Sequence, residues 1–142
     1  MKIGSKGYYG LLALAELAAS YSSRRALQVK EIAKNQNIPT EYLGQIMVLL
    51  KRAGLVHGSR GPAGGYTLAR PPELITIRDA LRALEGPSLT IDISGQKSGL
   101  SPACQKVVEI WARGLRAMEQ VLEESTIADL CRAKPDAYMF YI

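Results

Sequence analysis

Chemistry in this chain would have to come from few residues. His57 is the only histidine, and Cys104 and Cys131 are the only cysteines. A nucleophile–base pair of Cys104 with His57 has no spacing signature behind it. Two cysteines cannot form a disulfide framework, nor supply all four thiolates of a zinc or iron–sulfur site. The stretch Gly58-Ser59-Arg60-Gly61-Pro62-Ala63-Gly64-Gly65 lacks the Gly-Lys-Ser/Thr ending of a nucleotide-binding loop. No paired acids stand at a recognisable catalytic spacing, so no enzyme is expected. Charge is the remaining signal. Residues 1–70 hold ten Lys/Arg against three acids, a balance of +7, whereas residues 71–142 hold eight against ten. A basic half beside a near-neutral half predicts one end that meets a polyanion and another with a different task.

The elements that would position this charge follow from pattern. The 142 residues suit one compact domain, and 47% hydrophobic with 22% charged residues suits a globular chain. No apolar run approaches the roughly 20 residues of a membrane span, and the start Met1–Gly7 has no signal-peptide core, so a cytoplasmic protein is expected. Tyr8–Ser20 predicts a helix with one broad buried face. Val29–Asn35 predicts two further turns, with Ile32 and Ala33 inward, ended by Asn37-Ile38-Pro39. Thr40 is a good N-cap for a longer helix, with Leu43, Ile46, Met47 and Leu50 on its inner stripe and Gly54 as its stop. Its outer face would carry Thr40, Glu41, Gly44, Gln45 and Val48, and Lys51 and Arg52 would reach phosphates. That is a helix-turn-helix suited to the major groove. Leu55-Val56 and Tyr66–Leu68 flank the glycine-rich stretch as a hairpin, a wing with Arg60 at its tip for a minor groove. His57 would line the base of the wing.

A short helix over Arg78–Glu85, with Thr76 and Asp79 as a capping box, is stopped by Gly86-Pro87. Ser101-Pro102 then opens the longest helix. Cys104, Val108, Trp111, Leu115, Met118 and Leu122 follow at spacings of 4, 3, 4, 3 and 4, a heptad seam that predicts a two-fold homodimer. Thr126 and Asp129 form another capped start, with Cys131 a buried or half-buried residue of the helix that follows. The apolar ending Tyr138-Met139-Phe140-Tyr141-Ile142 either folds back onto the dimer or is a peptide ligand offering its terminal carboxylate to a partner. The expected class is mainly α with a small β-hairpin: a winged helix-turn-helix domain (1–86), a loop (87–100), a dimerisation helix (101–125) and a C-terminal segment with an apolar tail (126–142).

Several motifs carry a family resemblance: Lys2-Ile3, Ser5-Lys6-Gly7, Tyr9-Gly10, Lys30-Glu31-Ile32-Ala33, Tyr42-Leu43, Gln45, Ala53-Gly54-Leu55-Val56, Arg60–Tyr66, Leu84-Glu85-Gly86-Pro87 and Thr126–Leu130. Over nearly its whole length the chain resembles the Rrf-type winged-helix regulators, homodimeric DNA-binding transcription factors that are mostly repressors. The resemblance adds Lys6, Tyr9, Lys30, Tyr42, Gly61, Gly64 and Gly65 to the residues expected to meet double-stranded DNA. Cluster-binding members carry three cysteines in the loop and at the start of the long helix. Only Cys104 matches, so no cofactor is expected, and an iron–sulfur or thiol-based redox sensor is the alternative. Cluster regulators also tend to carry Glu where Gly44 stands. The ending Ala137–Ile142 resembles that of the family's cysteine-metabolism repressors. That likeness implies cysteine synthase (O-acetylserine sulfhydrylase) as partner, with Ile142 mimicking the C-terminal isoleucine of serine acetyltransferase. A protein-only module that tunes cysteine synthase without DNA is a further reading.

Overall fold

A computed structural model describes residues 3–86 and 101–132 of the chain. The expected loop at 87–100 and the tail residues Tyr138–Ile142 lie outside them. The element order is α1 (Ser5–Ala19), α2 (Val29–Gln36), α3 (Thr40–Arg52), β1 (Val56–Ser59), β2 (Gly65–Leu68), a 3-10 turn at Pro72–Leu74, α4 (Ile77–Glu85), α5 (Pro102–Glu124) and α6 (Ile127–Cys131). The described residues are mainly helical with one antiparallel hairpin, the winged-helix class expected from the sequence.

α1 begins a turn earlier than its leucine-rich pattern predicts. Gly7 and Gly10 lower helix propensity and hide that turn, but both are buried against α4, where a methyl group on Gly10 would overlap Leu84. α2 ends with Asn37 in the left-handed region (φ 54°), and the Ile38 N–H returns to the Ala33 carbonyl at 2.9 Å. Thr40 does not cap α3. Pro39 holds the N-cap position, its carbonyl accepts from the Leu43 N–H at 2.9 Å, and Thr40 is the first helical residue. Proline has no N–H to donate, yet its carbonyl is free to open the next helix. α3 closes with two bonds, Leu55 N–H to the Leu50 carbonyl and Gly54 N–H to that of Lys51, both 3.0 Å, around Gly54 at φ +74°. This is a Schellman ending.

The hairpin pairs Val56 with Leu68 and Ser59 with Gly65, so the strands run further into the glycine-rich stretch than the sequence suggests. Leu27 adds a one-residue bridge to Tyr66, with reciprocal bonds of 3.0 and 2.8 Å. The core gathers Leu14, Leu17, Ile32, Leu43, Ile46, Met47, Leu50, Ile75 and Ile127. α4 opens with the Asp79 N–H donating to Thr76 Oγ1 at 3.0 Å, and α5 with the Cys104 N–H donating to Ser101 Oγ at 3.1 Å. Thr76 and Thr126 form an isolated bridge, and the α6 capping box of Thr126 and Asp129 is present in both halves. α6 thereby returns Ile127 and Ala128 to the core against α1.

Candidate nucleic-acid interface

The inner face of α3 is fixed by burial. Leu43, Ile46, Met47 and Leu50 are enclosed, which leaves Thr40, Glu41, Gln45, Val48, Lys51 and Arg52 exposed on the outer side. Gly44 lies on that outer side as well, with open space where a side chain would stand. The helix thus presents a shallow site between Glu41 and Gln45 and two cations at its end. Lys51 and Arg52 there also suit the negative end of the helix dipole.

The wing follows directly. Arg60 and Gly61 are exposed at its turn. Gly61 adopts φ +97°, and its carbonyl accepts from the Gly64 N–H at 2.9 Å. Gly64 and Gly65 are placed differently from Arg60. Gly64 is buried, and a methyl group on it would stand 2.5 Å from the Ser59 carbonyl oxygen. Gly65, at φ +145°, leaves the same margin to the carbonyl oxygen of Leu27. These two glycines shape the turn and its seat on Leu27. Lys51, Arg52 and Arg60 are exposed and engage no carboxylate among the described residues, and the Lys51 ammonium lies alongside Gly58 of β1. His57 is exposed on β1, opposite Thr67.

At the start of α1, Lys6 is exposed and Tyr9 is half-buried. Tyr9 meets Tyr42 of α3 edge-on, with ring centroids 5.9 Å apart, and the Ser5 and Tyr42 hydroxyls are 3.2 Å apart. The sequence gives no signal for the Ser5 contact, because it joins two elements through tertiary packing. Lys30 is exposed in the first turn of α2.

α5 has no buried residue. Of the predicted seam, Cys104, Val108, Leu115, Met118 and Leu122 are half-buried and Trp111 is exposed, and Leu122 packs on the chain's own core. The ion pairs Arg78–Glu123 (2.7 Å) and Arg82–Glu119 (3.6 Å) hold the C-terminal half of α5 against α4. The more exposed apolar stripe lies one residue away: Val107 (59%), Ile110 (56%) and Val121 (61%), with Gly114 and Ala117 completing the same heptad spacing. The heptad pattern of the sequence marks the half-buried stripe rather than this one.

Cys104 lies in the first turn of α5, and Cys131 ends α6. Among the described residues no three His, Cys, Asp or Glu side chains gather. The donors of the described residues do not fit a cluster held by those residues alone. Cys131 is exposed rather than buried or half-buried as expected, because it ends α6 at the surface, and its thiol lies 3.4 Å from the Ala15 carbonyl oxygen. Partial desolvation pushes the thiol above its ordinary range, and Glu73 adds to the rise while Arg132 opposes it.

A family model described as Rrf2, iron-dependent transcriptional regulator, matches residues 3–133. The chain is 38% identical over 145 aligned residues to the HTH-type transcriptional regulator CymR of Bacillus subtilis, across all of both chains. The solved structure of that protein, described as the global cysteine regulator of B. subtilis, superposes with a TM-score of 0.80 at 37% identity, covering 92% of this chain and 96% of that one. The IscR structure from T. potens superposes with a TM-score of 0.75 at 34% identity, covering 99% and 93%.

Proposed function

We propose, from the premise that the chain belongs to the Rrf2 family of transcriptional regulators, that it is a homodimeric repressor of cysteine and sulfur metabolism genes. The observation that carries the DNA-binding part is the outward face of α3 beside the wing, where Lys51, Arg52 and Arg60 have no carboxylate partners among the described residues. α3 would enter the major groove with Glu41, Gln45 and Val48 toward the base edges. Lys6, Lys30, Lys51 and Arg52 would hold phosphates, and Arg60 would enter the neighbouring minor groove. The exposed stripe Val107, Ile110 and Val121 of α5, beside the half-buried seam, supports a partner helix from a second copy, which would set two such faces on one operator. The likeness to regulators, together with this site, is that of a transcription factor and not of an enzyme.

The assignment to cysteine metabolism rests on the full-length likeness to CymR. In this reading the tail Tyr138-Met139-Phe140-Tyr141-Ile142 enters the active site of cysteine synthase and leaves when O-acetylserine accumulates, which relieves repression. Titration of pyridoxal-phosphate-loaded cysteine synthase, followed by cofactor fluorescence, tests this. The full chain should bind and be displaced by O-acetylserine, and a chain lacking Ile142 should not bind. Absence of binding by both removes the synthase from the mechanism. The likeness to IscR favours the second reading, a redox-sensing regulator. Anaerobically purified protein that is coloured and carries iron would establish it, whereas colourless, iron-free protein that binds operator DNA would end the cluster version.

A further inference from the structure

Glu85 ends α4, where a carboxylate faces the negative pole of its own helix and weakens it. Its contact is with another element. Glu85 Oε1 accepts the backbone N–H of Gly7 at 2.7 Å, across 78 residues of chain. Gly7 is the third residue of α1, so this N–H is one that the helix leaves unpaired. α1 has no cap of its own. Its N-cap is Gly4, without a side-chain hydrogen bond, and its first turn holds no acid. That turn does hold Lys6, a cation at the positive helix pole. The backbone is cut to receive the carboxylate. A methyl group on Gly7 would stand 2.6 Å from Glu85 Oε1, and one on Gly4 would stand 2.8 Å from the same atom. On its other side the start of α1 touches α3 through Ser5 and, one turn on, Tyr9 against Tyr42.

We infer that Glu85 is a positioning residue for DNA binding. Its carboxylate supplies the missing cap of α1, fixes the turn that carries Lys6 over the phosphate backbone, and braces the start of α3 through Tyr42. The inference rests on the proposed DNA-binding role of Lys6 and α3. The last turn of α4 therefore governs how the first turn of α1 meets DNA.

The test uses the full chain and a labelled duplex of about 30 base pairs, enriched from a random-sequence pool by the wild-type protein. Affinity is measured over a salt series for Glu85→Ala, Glu85→Asp, Glu85→Gln, Lys6→Ala and the double variant Lys6→Ala/Glu85→Ala. Glu85→Ala should bind about tenfold more weakly, with the salt slope reduced by about one phosphate contact. Glu85→Gln keeps an acceptor at the same reach and should bind like wild type. Glu85→Asp keeps the charge but is one methylene too short, and should behave like Glu85→Ala. In the Lys6→Ala background the Glu85→Ala loss should largely vanish, since the two act on one contact. If Glu85→Ala does not fold, the contrast between Asp and Gln decides the matter. Wild-type affinity and slope in Glu85→Asp, a loss fully additive with Lys6→Ala, or failure of Glu85→Gln to bind would each overturn the inference. A wild-type chain that enriches no duplex overturns the DNA-binding reading and this inference with it.

Discussion

Arg60 decides whether the wing takes part in recognition. Its side chain is exposed at the turn and makes no hydrogen bond or ion pair among the described residues, so Arg60→Ala should leave the thermal midpoint in place. Operator affinity should fall by about tenfold or more, read by fluorescence anisotropy. Unchanged affinity would confine recognition to α3. Cys131 gives a second expectation. Its raised pKa keeps the thiol protonated to higher pH, so at about pH 8 it should alkylate more slowly than a free cysteine, and the gap should close as pH rises through its own range. Iodoacetamide labelling in a Cys104→Ala background measures this, and a rate equal to that of a cysteine peptide would refute it. Much of this residue-level picture was readable beforehand. The helical period places Glu41, Gln45 and Val48 opposite the buried stripe, and the lone arginine among glycines marks a turn tip. The roles of Gly64, Gly65 and Ser5 were not readable, because each depends on a neighbour brought close only by the fold.

At the scale of elements, boundaries are set by caps more than by composition. The Thr126–Asp129 box starts a helix of only five residues, too short to persist without its cap and its anchor Ile127. Thr126→Ala should therefore cost about 1 kcal/mol and lower the melting midpoint by about 2–8 °C, followed by circular dichroism. A midpoint within error of wild type would show that Ile127 alone holds α6. The sequence made this box, the Ser101-Pro102 start of α5 and the Gly54 stop of α3 legible, since each uses side chains suited to one position. It hid the first turn of α1 behind glycines chosen for contact with α4. It also suggested Thr40 as a cap where the Pro39 carbonyl opens the helix. The length of the hairpin strands was beyond reach because it depends on pairing register and on Leu27, not on the residues of the wing alone.

For the whole molecule, the winged-helix half has a closed core while α5 has none of its residues enclosed. The heptad seam was visible in the sequence, but how its two sides are shared was not. Leu122 and the ion pairs to Glu119 and Glu123 use one side within the chain, leaving Val107, Ile110 and Val121 bare. Ile110→Glu should therefore convert a dimer to a monomer in sedimentation velocity while the helix content stays unchanged, and a persisting dimer would place the interface elsewhere. DNA affinity should fall with it, because one protomer reaches only one half-site. The uncovered flank of α5 also bears on gene dosage. A regulator that pairs before it grips an operator, as proposed for this chain, rises with the square of chain concentration when scarce. Halving the number of copies in a cell would then remove more than half of the active form, and the rate at which the chain is made and degraded becomes a regulatory input of its own.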